Sequence, residues 1–163
     1  MGVMSLLIPL SLSPQEFMIA PVGAKSITEA VEMGMDTYQH LKNVIKKQYG
    51  PSATAVGDEG GFAPDVATPR QALKLIVDAI AVAGYTGRMM IAMDVAASEF
   101  YRNGRYEFRS ENKGSMTSDE LADYYRQLIR DFPIVSIEDP FDQDDWSAWS
   151  KFTASVRKQV QVQ

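Results

Sequence analysis

Four acidic side chains, Glu16, Glu59, Asp94 and Glu138, stand at the ends of short apolar segments. Asp94 and Glu138 are the most informative, because each closes a run that is otherwise mostly apolar. A buried carboxylate without a partner is costly, so such a group is paired, protonated or bound to a metal. Cysteine is absent and the single histidine, His40, lies in a predicted helix. Two converging carboxylates therefore favour a hard cation such as Mg²⁺.

Each of these carboxylates also has a structural interpretation. Asp94 and Glu138 fit equally well as rim residues or helix caps, satisfied by water or by backbone amides. Glu59 lies among glycines, where the backbone can approach a ligand and the carboxyl could act as a general acid or base. A solvated residue in a flexible turn fits the same pattern. Glu16 taken alone fits an ordinary strand-edge glutamate, and His40 is interpreted as structural.

Composition indicates a globular protein of ordinary domain size and excludes several function classes. The 163 residues are 45% hydrophobic and 23% charged, with a net charge of −5 and a pI near 4.9. No basic run or face is present, so no nucleic-acid partner is predicted. The absence of cysteine excludes disulfides and thiolate chemistry. The apolar opening at 1–14 has no Lys or Arg and is short, so neither a targeting signal nor a membrane partner is predicted.

The elements that must position the carboxylates alternate between strands and helices. Helix starts are predicted at three capping signals, namely Ser26 with Glu29, Thr68 with Pro69, and Thr117 with Glu120. Strands are predicted at 15–22, 53–56, 89–95 and 134–137, a hairpin at 100–108 around Asn103-Gly104, and a fourth helix from Trp146. This alternation indicates parallel β/α units. About four strands are too few for a closed eight-stranded barrel of roughly 250 residues, so we expect part of a larger architecture.

Five stretches carry a specific resemblance. They are QEFMIAPVGA at 15–24, LKNVIK at 41–46, VGDEGGFAP at 56–64, MDVAASEF at 93–100 and VSIEDPFDQDDW at 135–146. Together, and in this order, they resemble the enolase (phosphopyruvate hydratase) family over roughly 14–155. The resemblance implies an α/β fold, a partial (β/α)8 TIM-type barrel of the enolase C-terminal domain. It divides the chain into a non-family segment at 1–13, the partial barrel at 14–155 and a tail at 156–163.

The resemblance also implies an activity. Enolases are lyases that interconvert 2-phosphoglycerate and phosphoenolpyruvate with Mg²⁺, in cytoplasmic glycolysis, and they are homodimers. By resemblance, Asp94 and Glu138 fall on two of three carboxylates that hold Mg²⁺, and Glu138 and Gln15 fall on substrate-binding positions. Glu59 falls on the acid that helps the C3 hydroxyl leave, and Glu16 on its catalytic, substrate-side partner.

Several features of the family have no counterpart in the sequence. The N-terminal domain, the first barrel strand and a glycine-rich loop are absent, and Leu7 stands where that loop has a substrate-binding histidine. The third metal carboxylate, the lysine base that removes the C2 proton, a second lysine and a later histidine are also absent. We therefore expect impaired turnover. The alternative is a non-catalytic truncated isoform or fragment that acts at most as a protein-binding module.

Overall fold

The computed structural model describes residues 4–6, 16–57, 60–107 and 114–163. Helices in these ranges are α1 (Ile27–Tyr49), α2 (Pro69–Val82), α3 (Ser118–Asp131) and α4 (Trp146–Val156). Strands are β1 (Met4–Leu6), β2 (Glu16–Ala20), β3 (Met90–Asp94), β4 (Tyr101–Arg102), β5 (Arg105–Glu107), β6 (Ser115–Met116), β7 (Ile134–Glu138) and β8 (Gln161–Val162). Short 3₁₀ helices span Pro51–Thr54 and Ala97–Phe100. None of the described helices combines the length and apolarity needed to cross a membrane.

The main sheet has the strand order β1-β2-β3-β7-β8. β2 pairs antiparallel with both β1 and β3, whereas β7 pairs parallel with both β3 and β8. β4, β5 and β6 form a separate antiparallel sheet. Within the described residues the main sheet is open, with β1 and β8 at its edges, which confirms a partial barrel instead of a closed one.

The antiparallel pairing of β2 with β3 corrects the expectation of purely parallel β/α units. A single crossover helix returns the chain to the start of a parallel strand. Between β2 and β3 the chain instead forms two packed helices, α1 and α2. The second helix reverses the direction of the first, so β3 begins beside the end of β2, with Ala20 opposite Met90.

The predicted strand at 53–56 is wrong, because Pro51–Thr54 forms a 3₁₀ helix. Pro51 occupies the first turn of the 3₁₀ helix, where its fixed φ suits helical geometry. The Thr54 hydroxyl donates to the Pro51 carbonyl at 2.8 Å and closes that turn. Only Val56 pairs as β structure, in an isolated antiparallel bridge with Phe62. Neither β1 nor β8 was predicted from the sequence, since each is only a few residues long.

The helix starts are as predicted, because each depends on local hydrogen bonds. The Ser26 hydroxyl accepts from the Glu29 amide, and Thr68 and Thr117 each form a complete capping box. The predicted hairpin turn is present, with Asn103 at φ 52° and Gly104 at φ 79°, the left-handed values of a two-residue hairpin.

The hydrophobic core lies between the main sheet and its helices. Alternate strand residues are fully buried there, namely Phe17, Ile19, Ile91, Met93 and Ile137. They join one cluster with the apolar helix faces, including Leu41, Ile45, Leu73, Ile76, Leu128 and Phe152. Burial of each large apolar side chain contributes about 1.5–3 kcal/mol. The core therefore fixes which face of each strand points away from the helices.

Candidate active site

Three of the predicted carboxylates lie in one row across neighbouring strands. Glu16 is the register partner of Asp94, and Asp94 is the register partner of Glu138. Asp94 and Glu138 are the last residues of β3 and β7, whereas Glu16 is the first residue of β2. Because β2 runs antiparallel to β3, its first residue reaches the edge at which the other two strands end. We call Glu16, Asp94 and Glu138 the carboxylate row.

The carboxylate row lies on the face of the sheet opposite the helical core. Side chains alternate between the two faces of a strand, and the residues beside the row belong to the core cluster: Phe17, Met93 and Ile137. The row is half-buried rather than covered. In a barrel this face is the interior, and the carboxyl ends of the strands form the catalytic end.

Asp94 is held by the turn that follows β3. Its Oδ1 accepts a hydrogen bond from the Ala96 amide at 3.0 Å. Ala96 has φ 47°, a left-handed conformation that a residue with a side chain adopts at a cost. The structural interpretation of Asp94 is thus partly correct, because one oxygen is satisfied by a backbone amide. It is not a helix cap, since the described helices are capped elsewhere.

The segments after β3 and β7 are tied together by their backbones. The Val95 amide donates to the Glu138 carbonyl at 2.9 Å, and the Ala97 amide donates to the Asp139 carbonyl at 3.0 Å. Asp139, like Ala96, has a positive φ, at 46°. These bonds fix the relative position of the two strand ends and therefore of the Asp94 and Glu138 side chains.

Electrostatics at this edge favour a positive ligand. Burial raises the pKa of Glu138, and the neighbouring charges of Asp94 and Asp139 raise it further. A raised pKa means that the ionised form of this carboxyl is disfavoured in its surroundings. A bound cation would reverse that effect, because it stabilises the ionised form of each nearby carboxylate.

The donor set fits Mg²⁺ in part. Among the residues that the structure describes, no group of three His, Cys, Asp or Glu side chains is close enough to hold a metal ion. The full row spans two strand spacings, roughly 10 Å, which is too wide for one ion. Asp94 and Glu138 are one spacing apart, and Mg²⁺ is commonly bound by one or two carboxylates together with water and substrate oxygens. Asp94 and Glu138 are therefore the two residues that would hold a Mg²⁺ ion.

A cavity of about 240 Å³ lies beside the ends of β3 and β7. Its lining combines acidic, polar and aromatic side chains: Ala96, Ser98, Glu99, Asp139, Phe141 and Gln143. The Gln143 amide donates to the Ser98 hydroxyl at 3.0 Å, which joins the two walls. The cavity adjoins the strand ends through Ala96 and Asp139, which lie two residues after Asp94 and one residue after Glu138.

The remaining predicted site residues, Gln15 and Glu59, lie outside the described residues, as does Leu7. Glu59 belongs to a loop at 57–61, which we call the glycine loop. The structure describes Gly57, Gly60 and Gly61 of this loop. The Gly57 amide donates to the Gly61 carbonyl at 2.8 Å, and the Gly60 amide donates to the Gly57 carbonyl at 2.9 Å.

One residue that contacts this loop was missed by the sequence analysis. The Tyr38 hydroxyl, on α1, donates to the Gly60 carbonyl at 2.7 Å. In the sequence Tyr38 is only one of several large residues at helical spacing, and no local signal distinguishes it.

A comparison with known protein families decides the lineage. Residues 10–163 match the family described as Enolase, C-terminal TIM barrel domain. The chain belongs to the enolase family. This confirms the resemblance and the partial-barrel fold that the sequence indicated. In an enolase barrel the edge that holds the carboxylate row is the edge at which TIM-barrel enzymes place their active sites.

Proposed function

We propose that this enolase-family chain takes part in the Mg²⁺-dependent dehydration of 2-phosphoglycerate to phosphoenolpyruvate, as a lyase of cytoplasmic glycolysis. The observation that supports the proposal best is the carboxylate row. Its members come from three different strands and lie side by side at one edge of the sheet.

Asp94 and Glu138 are proposed as the Mg²⁺ ligands, with Glu138 also facing the substrate. Their register pairing and the raised pKa of Glu138 support this role. Mg²⁺, when bound, supplies positive charge next to the negative charge that develops on the substrate carboxylate. Backbone hydrogen bonds link the two strand ends and hold the two side chains on neighbouring strands.

Glu59 is proposed as the general acid, with Glu16 and Gln15 beside the substrate. In the dehydration, C2 loses a proton, the C3 hydroxyl leaves as water, and a C2=C3 double bond forms. Glu59 would deliver the proton that the leaving hydroxyl needs, and Glu16 would keep that proton on Glu59 by like-charge repulsion. None of the residues assigned here accepts the C2 proton, so we expect slow turnover by the chain alone.

The direct test is phosphoenolpyruvate formation by the purified 163-residue chain, first with Mg²⁺ and then with chelator. Chelator-sensitive activity that falls about 10²–10⁴-fold in Glu59→Gln supports the proposal. Glu107→Gln is the matched control, because Glu107 is exposed on β5, away from the carboxylate row. Activity that survives chelator, or that the two variants lose equally, would contradict it.

A non-catalytic binding module is the second candidate, and one observation favours it. Ile27, Val31 and Met35 form an exposed apolar line along α1, with 73%, 48% and 59% of each side chain accessible. An exposed apolar patch often marks a protein contact. Folded chain that shows neither turnover nor Mg²⁺ binding, yet loses self-association or partner binding in Val31→Glu, would favour this candidate.

A further inference from the structure

The strand β7 contains one extra residue relative to β3, and this bulge determines the face of the sheet on which Glu138 lies. The first residue of β7 pairs with Ile91, whereas Ser136 pairs with Ala92, the very next residue of β3. A bulge re-aims the side chains that follow it. With uninterrupted pairing, Asp94 would lie opposite a core residue instead of opposite Glu138.

The bulge also places the Ser136 side chain on the same face as the carboxylate row. Ser136 and Glu138 flank Ile137, whose side chain is fully buried in the core, so both lie on the opposite face of the sheet. The register partners of Ser136 are Ala92 on β3 and Gln161 on β8. Ser136 therefore comes one step before Glu138 on this face, roughly 6.6 Å away along the strand.

The Ser136 hydroxyl is buried, and no group in the described part of the chain satisfies it. Its oxygen is shielded from solvent and forms no hydrogen bond with those residues. A buried polar group left in this state costs about 1–3 kcal/mol. In native proteins such groups are commonly satisfied by an ordered water molecule. Because a serine hydroxyl can both donate and accept, it can hold a water and orient it.

The neighbours of Ser136 suit one bridging water. Ala92 has only a methyl group, which leaves more space beside the hydroxyl than any larger side chain would. Two hydrogen bonds of about 2.8 Å together span about 5.6 Å, which is close to the spacing between Ser136 and Glu138. A buried water needs two to four polar partners. The side chain of Gln161, which donates to Gln163 Oε1 at 2.8 Å, is a third polar group on this face.

We propose that Ser136 is a positioning residue for Glu138, acting through one water that accepts from the serine hydroxyl and donates to the carboxylate. This inference rests on the proposed function, because Glu138 is there a Mg²⁺ ligand. A hydrogen bond to the ionised form of a carboxyl favours that form. It also holds the ligand in one orientation for the metal, and loss of such an outer partner typically lowers metal affinity about 10–100-fold.

Isothermal titration calorimetry of the full chain with Mg²⁺ tests the positioning role. In Ser136→Ala we expect an affinity about tenfold lower, and in Ser136→Thr, which keeps a hydroxyl, an affinity within about threefold of the unaltered chain. Thr37→Val is the matched control, because it removes a buried hydroxyl on α1 that donates to the Met33 carbonyl at 2.8 Å. This control should lower the free energy of unfolding and leave the affinity unchanged.

Three results of the calorimetry would overturn the proposal. They are an unchanged affinity in Ser136→Ala, an equal loss of affinity in Ser136→Thr, and an equal loss in Thr37→Val. The second result would assign the effect to packing instead of the hydroxyl, and the third would assign it to a general loss of stability.

A second measurement does not depend on the metal. A crystal structure of the unaltered chain should show an ordered water within about 3.2 Å of Ser136 Oγ and of a Glu138 carboxylate oxygen, and Ser136→Ala should lack it. A site without this water in the unaltered chain would overturn the proposal. If the unaltered chain binds no Mg²⁺, the proposed function fails, and the water alone then decides whether Ser136 orients Glu138.

Discussion

Two carboxylates of this chain, Asp145 and Glu138, lie in partly buried surroundings of opposite character. Asp145 accepts from the Tyr106 hydroxyl at 3.0 Å, from the Ser118 hydroxyl at 2.5 Å and from the Ala148 amide at 3.2 Å. The pKa of Glu138 is instead raised, first by burial and then by the neighbouring charges of Asp94 and Asp139. Donors surround the first carboxylate, and other carboxylates surround the second.

The difference separates a carboxylate that stabilises the fold from one that is suited to a ligand. Asp145 joins the β5 strand, the start of α3 and the start of α4, since its partners come from all three. The Tyr106 hydroxyl also accepts from the Asp142 amide at 2.9 Å, so the network is well satisfied. Ionisation of Glu138 is unfavourable in its surroundings, and a bound cation would offset that cost in free energy.

The largest effect on stability is expected from Asp145→Ala. This variant removes the cap of α4 and leaves two hydroxyls and one amide without their acceptor, so we expect a loss of about 2–4 kcal/mol in the free energy of unfolding. Urea denaturation measures it. Asp144→Ala, at the exposed neighbouring position, is the control and should change stability by less than about 0.5 kcal/mol. Equal losses of stability in both variants would contradict the stabilising role of the Asp145 hydrogen bonds.

Mg²⁺ affinity is expected to fall in Asp94→Asn and in Glu138→Gln. Each variant removes one of two proposed ligand charges, so we expect a loss of about tenfold or more in the association constant, or roughly 1.4 kcal/mol. Isothermal titration calorimetry with Mg²⁺ measures it. Asp145→Asn removes a carboxylate charge outside the carboxylate row while one oxygen can still accept from the Ala148 amide, so this variant should bind Mg²⁺ as the unaltered chain does. A comparable loss of affinity in Asp145→Asn would place the ion elsewhere.

A smaller effect is expected from Tyr106→Phe. Asp145 retains its Ser118 and Ala148 donors, and the aromatic ring retains its contacts with Phe100, Tyr101 and Phe141. The variant loses two hydrogen bonds, one donated to Asp145 and one accepted from the Asp142 amide, so we expect a loss of about 1–2 kcal/mol in the free energy of unfolding. If urea denaturation gave as large a loss as for Asp145→Ala, the tyrosine rather than the carboxylate would organise this network.

The smallest effect is a pH dependence at Glu138. Its pKa is raised in the folded chain, so the folded state holds this proton more tightly than the unfolded state. Its contribution to stability is present below the ordinary glutamate pKa and is lost as the pH rises through the raised value. The stability of the unaltered chain relative to Glu138→Gln should therefore fall across that window. A stability difference between the two chains that rises with pH would contradict a raised pKa at Glu138.

The sequence predicts the parts of this fold that depend on neighbouring residues. Ser26, Thr68 and Thr117 cap helices as expected, because the capping bonds span three residues. Asp94 and Glu138 lie at the ends of their strands as expected. Both predictions follow from local patterns of polarity and hydrogen bonding, which the sequence contains directly.

Features that depend on distant pairing could not be predicted in the same way. The place of Glu16 beside Asp94 depends on the antiparallel direction of β2, which follows from two successive helices rather than one. The bond from Tyr38 to Gly60 joins residues 22 positions apart. In each case the contact is created by the packing of whole elements, and no short motif records it.

The central claim is that a divalent cation binds between Asp94 and Glu138, and paramagnetic broadening by Mn²⁺ tests it most directly. Mn²⁺ prefers the same oxygen ligands as Mg²⁺ and broadens NMR signals close to it. We predict the strongest broadening at the amides of Val95 and Asp139, with reversal by excess Mg²⁺. Broadening centred on the acidic first turn of α3, at Asp119 and Glu120, would contradict the account.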